Sequence, residues 1–237
     1  MSRFFSRVAF VVFFSIFSFS SYGAVILSGT RFVYLSDEPE LDVRMTNQGS
    51  SPVLTQAWID KGNAALKPGA DKVPFVITPP ISRVNPLKGQ SLRITYVDKT
   101  LPKDRESVFW LNVLEIPSEK KVKTAESNSL KLAFRTRVKL FYRPADLKGT
   151  ETDAAQGVKW SLSGNMLHCQ NSSQYYVTIK DFDLISGSRK INGLGGMIAP
   201  NSAKDFPVKG SVSGVSNLKY RWISQFGSNI EEKANLL

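Results

Sequence analysis

The chain has 237 residues, 31 of them Lys or Arg against 20 Asp or Glu, for a formal net charge of +11, with one histidine and one cysteine. A single cysteine, Cys169, excludes an internal disulfide, so stability has to come from packing, and it reads as a small buried hydrophobe. The basic balance invites a nucleic-acid reading, but the cations are scattered along strand-like runs with no recognition-helix or base-stacking motif beside them; solubility, edge protection and attraction to acidic partners are the better account.

At the start, Arg3 and Arg7 precede an apolar run from Val8 to Phe19, and Ser21-Tyr22-Gly23 supplies small residues for a peptidase. This pattern predicts a secretory signal peptide over 1–23, cut after about Gly23. Twelve apolar residues are too few to span a bilayer as a helix, and no later stretch is apolar enough, so membrane insertion is not expected. Removing Arg3 and Arg7 lowers the formal charge from +11 to +9, and the remaining length suits two domains of about 100 residues, each with its own core.

From Ala24 onward, short alternating runs separated by turn residues predict an all-β sandwich. The first strand is read over Val25 to Leu35, the next around Leu41, Val43 and Met45, then Val53 to Ile59. Phe75 to Thr78 is a short strand ended by Pro79-Pro80, which cannot donate to a ladder. Leu92, Ile94 and Tyr96 alternate again. Val108 to Ile116 is apolar on both parities, as in a central strand covered on both faces. Ser118 to Ser129 is a polar loop expected to be mobile before a partner binds.

Leu130 to Pro144 is the stretch around which the rest is organised. Leu130, Leu132, Phe134, Thr136, Val138 and Leu140 share one parity, and Lys131, Arg135, Arg137 and Lys139 the other. The period of two predicts a strand. It suits either an ordinary half-buried strand or an exposed edge that another chain completes, its repeated cations guarding against indiscriminate pairing.

Arg143 to Gly149 then breaks the pattern, and the polar Thr150 to Gln156 follows; the boundary is placed here, giving domains over 24–147 and 148–237. Strands resume over Val158 to Leu162, Met166 to Gln170, Tyr175 to Ile179, Phe182 to Ile185, Lys204 to Val208 and Leu218 to Ser224. No helix-period segment of useful length is read anywhere.

Catalytic patterns are sparse. His168 would have to serve any Ser-His-Asp triad, and no Gly-x-Ser-x-Gly elbow accompanies it. There is no His-Glu-x-x-His, Cys-x-x-Cys or phosphate-binding Gly-x-x-x-x-Gly-Lys-Ser/Thr loop, so no metal, cofactor or nucleotide is expected. Asn171-Ser172-Ser173 and the glycines of 192–196 read as turns. Asp104 and Glu106 flank Arg105 and suit salt bridges better than acid–base work. The chain reads as a non-enzyme.

Several motifs then occur in order: Thr30-Arg31-Phe32-Val33-Tyr34; Thr78-Pro79-Pro80 with Leu92-Arg93-Ile94; Leu101 to Val113 through Ile116-Pro117; and Arg137-Val138-Lys139-Leu140-Phe141-Tyr142-Arg143-Pro144. Together they closely resemble the periplasmic chaperones of chaperone–usher pilus assembly, the PapD-like family. The resemblance is strongest from Gly29 to Pro144 and continues more loosely through Tyr175 to Thr178 and Tyr220-Arg221-Trp222. It implies two immunoglobulin-like β-sandwich domains in a boomerang arrangement with a cleft between them, and a chaperone that completes pilus or fimbrial subunits by strand addition, prevents their aggregation and delivers them to an outer-membrane usher. By matching position, Arg31 and Lys139 look like the cleft cations that hold a subunit's C-terminal carboxylate. Leu130, Leu132 and Phe134 look like the donor residues. Glu106 and Arg143 match an interdomain ion network.

Two features qualify the resemblance. The third, acidic position of that network is Gln225 here, whose neutral amide carries no charge, so the tie between domains is either weaker or routed elsewhere. The loop before the donor stretch is short and lacks cysteines, as in the branch associated with rod-like pili. A structural fimbrial subunit or an exported polyanion binder are the competing readings. Whether a second copy caps the exposed edge of the free protein stays open.

Overall fold

The computed structural model describes residues 24–118, 132–215 and 217–236. The expected signal peptide, the polar loop after Ser118 and Leu130 lie outside the described residues. The first half contains β1 (Val25–Leu27), β2 (Arg31–Leu35), β3 (Leu41–Asn47), β4 (Val53–Asp60), β5 (Phe75–Thr78), β6 (Ile81–Val84), β7 (Gly89–Tyr96), β8 (Ser107–Pro117) and β9 (Phe134–Arg143). They form two packed sheets, ordered β1-β3-β7-β5 and β2-β9-β8-β4-β6. Alternation drives the packing: Val43 and Met45 of β3, Leu92 and Ile94 of β7, Leu111 and Val113 of β8 and Leu140 of β9 share one fully buried core. Tyr34, Phe75, Tyr96, Phe109 and Tyr142 close one end of it as an aromatic cluster, Tyr96 and Tyr142 lying 4.6 Å apart between ring centroids.

The run over Val25 to Leu35 is two strands rather than one. The chain leaves one sheet after Leu27, turns through 28–30 and joins the other at Arg31. Apolar content on both sides of the switch hides it from the pattern. The short strand over Phe75 to Thr78 does end before Pro79-Pro80; beyond the prolines the chain resumes at Ile81 in the other sheet, paired with β4.

The second half contains α1 (Glu151–Gln156), β10 (Lys159–Ser163), β11 (Met166–Asn171), β12 (Val177–Ser186), β13 (Arg189–Leu194), β14 (Met197–Ile198), β15 (Ser202–Pro207), β16 (Asn217–Ile223) and β17 (Asn229–Asn235). One sheet is β10-β11-β15; the other is β13-β12-β16-β17, with β14 also on β12. Their core is separate from the first and is built on Trp160, Phe182, Tyr220 and Trp222. The fold is therefore all-β with two immunoglobulin-like sandwiches, apart from α1. That short helix corrects the expectation of none: Thr150 and Asp153 form a capping box, and Ala154 and Ala155 turn into the second core.

Two stretches read as separate strands, Tyr175 to Ile179 and Phe182 to Ile185, are largely one. A register shift between Ile179 and Asp181 opposite β16 exchanges the buried parity, from Val177 and Ile179 to Phe182 and Leu184. Across from Phe182 sits Gly193, where an added Cβ would lie 2.1 Å from the Phe182 ring, so the glycine lets that ring lie across β13. Strand β17 is an edge of alternating charged and half-buried residues, too polar to stand out in the sequence.

Candidate functional site

Strand β9 divides into two halves that resolve the two readings of its sequence. Strand β8 pairs with it from Phe134 to Tyr142, but β2 covers only Lys139 to Arg143 on the other side. Over Phe134–Val138 the row of backbone groups on that side faces no strand among the described residues. The side chains divide at the same place: Leu140 and Tyr142 enter the core, whereas Phe134 is 41% exposed and Leu132 55% exposed on the same parity. One alternating pattern thus serves as core at one end and as an open apolar edge at the other.

Arg31 and Lys139 meet where covered edge gives way to open edge. They are Cα partners in the parallel pairing of β2 with β9. Arg31 is buried, stacks over Phe141 with 5.9 Å to its ring centroid, and donates through Nη1 to the Ile223 carbonyl at 2.8 Å. Burial lowers its pKa, with Glu151 opposing the shift. Lys139 is half-buried and no carboxylate among the described residues pairs with it. Burial pushes its pKa down to about 8, and the positive charges of Arg31 and of Lys204 in the second domain add to the effect. The result is a pair of cations side by side at a partly dry position, an arrangement suited to one carboxylate.

The cations on the other parity of β9 do structural work that composition alone did not reveal. Arg137 bonds Asp60 at 2.5 Å, and Arg135 reaches Asp60 at 3.4 Å, the Asn112 side chain at 2.7 Å and the Ala64 carbonyl at 2.6 Å. Their guanidinium groups lie 4.8 Å from the Trp110 ring centroid and 4.9 Å from that of Trp58. Asp60 is itself buried. Burial alone would raise its pKa, but the Arg137, Gly62 and Asn112 hydrogen bonds outweigh that and hold the carboxyl below its usual range. This layer covers the outer face of β8, whose two-sided burial matches its apolar sequence. It also fixes which way β9 faces, so Phe134 points to the side away from the clamp.

Glu106 and Arg143 form an ion pair of 2.7 Å, both in the first sandwich. The pair does not itself cross to the second; its spare groups do. Glu106 Oε2 accepts from the Tyr176 backbone N–H at 2.8 Å, and Glu106 N–H donates to the Gln174 carbonyl. Arg143 Nη1 donates to the Gln225 side-chain oxygen at 2.8 Å and the guanidinium lies over Tyr175. Gln225 N–H in turn donates to Glu151 at 2.9 Å. Burial raises the pKa of Glu106, with Arg143 and the Tyr176 N–H opposing.

The remaining candidates stay apart from this site. Cys169 is fully buried in the second core and burial pushes its thiol up to about 12, as for an inert side chain. His168 pairs with Asp205 on an exposed sheet face. The Asn171 amide is buried, donating to the carbonyls of Tyr175 and Ala199 as the anchor of a turn. Among the described residues, no group of three His, Cys, Asp or Glu is placed to hold a metal ion, and no helix is long and apolar enough to cross a membrane. Asp60 and Glu151 went unnoticed in the sequence; the Thr-x-x-Asp pattern at 150–153, passed over as part of a polar stretch, is the signal for the helix that carries Glu151.

Residues 24–148 match the family described as pili and flagellar-assembly chaperone, PapD N-terminal domain, and residues 153–234 match the pili assembly chaperone PapD C-terminal domain. The probable fimbrial chaperone YadV of Escherichia coli is 42% identical over 228 residues, covering 93% of each chain. Its crystal structure superimposes with a TM-score of 0.77, at 39% identity, over 90% of this chain and 100% of that one. The structure of the Salmonella enterica SafA pilin in complex with the SafB chaperone gives a TM-score of 0.77 at 25% identity, over 92% of this chain and 98% of that chain.

Proposed function

The chain belongs to the pili-assembly chaperones, and on that premise we propose that it captures fimbrial subunits in the periplasm by lending them the open edge of β9. A subunit lacking its last strand exposes an apolar groove and unpaired backbone groups. Phe134–Val138 supplies the missing ladder, and Leu130, Leu132 and Phe134 fill the groove. Each such side chain is worth about 1.5–3 kcal/mol on burial, and the ladder relieves backbone groups that are costly to leave unpaired. Arg31 and Lys139 clamp the subunit's terminal carboxylate and so set the register of everything beyond it. No nucleotide, cofactor or catalysis is needed, because the client's own unsatisfied surface drives association.

The chaperone in this reading is exported by a signal peptide cut after about Gly23, binds clients mainly through the domain over 24–147, carries a second domain over 148–237, and hands its cargo to an outer-membrane usher. In the absence of a client, the same edge is open to capping by a second copy. The SafA–SafB complex supports the reading by its likeness in fold. The observation that carries it is the register of Arg31 with Lys139 at the point where β2 stops covering β9. Co-expression with a cognate subunit tests it: Lys139→Ala or Arg31→Ala is expected to abolish recovery of a soluble complex from the periplasm, and undiminished recovery would remove the clamp from the account.

A further inference from the structure

We propose that Glu151 is the acid through which the second domain holds the first, acting on the turn at 223–225 that receives both interdomain cations. Arg31 and Arg143 reach across to the second sandwich, and each lands on a neutral oxygen: the Ile223 carbonyl and the Gln225 amide, both at 2.8 Å. Arg143 has Glu106 beside it in its own sandwich, but Arg31 pairs with no carboxylate among the described residues, and a cation so placed is poorly compensated in a partly buried site. The compensating charge stands on the far side of the same turn, where Glu151 Oε2 accepts the Gln225 N–H at 2.9 Å. Gln225 is thus held at both ends, its backbone N–H by Glu151 and its side-chain oxygen by Arg143, so the carboxylate fixes where the acceptor sits.

Glu151 stands in the first turn of α1, where a carboxylate suits the helix N-terminus, but that role does not call for burial. The helix is capped by Thr150 and Asp153, and no ion pair to Glu151 occurs among the described residues. Burial raises its pKa and Glu106 adds to the rise, while the Gln225 N–H and the charges of Arg143 and Arg31 oppose it. Glu151 is thus a positioning residue: it touches no client and acts through the backbone of residue 225. The acidic character that the neutral Gln225 lacks is supplied one hydrogen bond behind it, from α1.

The test measures the free chaperone, so its outcome is independent of subunit capture. Spin labels at Lys88→Cys and Lys209→Cys, both exposed and one in each domain, report the interdomain distance by pulsed electron resonance, while the buried Cys169 stays unlabelled. Glu151→Gln is expected to broaden and shift the distance distribution, with protection of the Ala154 amide against exchange unchanged. Adding Gln225→Glu to Glu151→Gln places a charge directly against Arg143 and is expected to restore the native distribution. A distribution unmoved by Glu151→Gln and by Glu151→Ala overturns the proposal, as does a change that Gln225→Glu fails to reverse. Loss of capture by Lys139→Ala with no effect of Glu151→Gln on the distance would leave the carboxylate clamp standing and this inference fallen.

Discussion

Lys139 occupies a site that disfavours its own charge in the free protein. Burial beside Arg31 and Lys204 favours the neutral amine, holding the folded-state pKa near 8 against an ordinary 10.5. A depressed lysine pKa means that the charged form costs stability, fully so below about pH 8, where both folded and unfolded chains carry the proton. Between pH 8 and 10.5 the unfolded chain binds more protons than the folded one, so stability rises with pH and the cost disappears. Lys139→Met keeps the length of the side chain and removes the charge. It is expected to stabilise the free protein at pH 7 by about 1–2 kcal/mol, after discounting the shift for partial exposure, and to show no such gain above pH 10.5. Urea denaturation at the two pH values checks this; a variant less stable than the parent at pH 7 would mean that Lys139 has a partner inside its own chain. The placement of Arg31 beside Lys139 was legible in the sequence because both sit in long ordered motifs. Glu151 was not, since it lies in a polar hexad whose only signature is a helix cap.

At the scale of the element, β9 is held by the face opposite its exposed apolar residues. Arg135 and Arg137 are pinned to Asp60 and stacked on two tryptophans, so the strand cannot rotate its apolar parity away from the open edge. Asp60→Ala leaves two half-buried guanidinium groups facing no carboxylate. It is expected to cost about 2–3 kcal/mol in stability, with Asp60→Asn milder because an amide oxygen still accepts. Amide exchange adds a local readout: protection over Phe134–Val138 should fall more than that over Leu111–Val113 in the shared sheet. Equal loss across both would make the clamp a general core contact. The alternation of Leu130 to Pro144 announced a strand but not its clamp, because Asp60 lies 75 residues before Arg135 and no local pattern links them. In the same way, the buried-parity exchange near Lys180 made one strand look like two. Periodicity records which residues share a face; it does not record where a partner strand begins, ends or slips.

The whole molecule joins two cores that share no residue, so its shape depends on a polar seam. Hydrogen bonds donated by Arg31 and Arg143 and accepted by the Glu106 carboxylate cross that seam, helped by the Phe141–Tyr176 ring contact at 5.8 Å. A tight turn at 224–228 delivers one acceptor, the Gln225 side chain, to it. Gly227 in that turn has φ +84, and a Cβ there would lie 2.5 Å from Thr30 Oγ1. Two effects of Gly227→Ala can therefore be separated. The backbone strain, about 1–2 kcal/mol, falls on the second domain alone, whereas the steric contact with Thr30 acts on the seam. Gly227→Ala is expected to lower the second domain's melting temperature and to weaken the coupling between the two unfolding transitions in calorimetry. Adding Thr30→Ala removes the hydroxyl that the new methyl meets. It should restore the coupling while leaving the lowered melting temperature, since the strained φ remains. If the double variant is as uncoupled as the single one, the turn's conformation, and not its fit against the first domain, is what joins the two sandwiches.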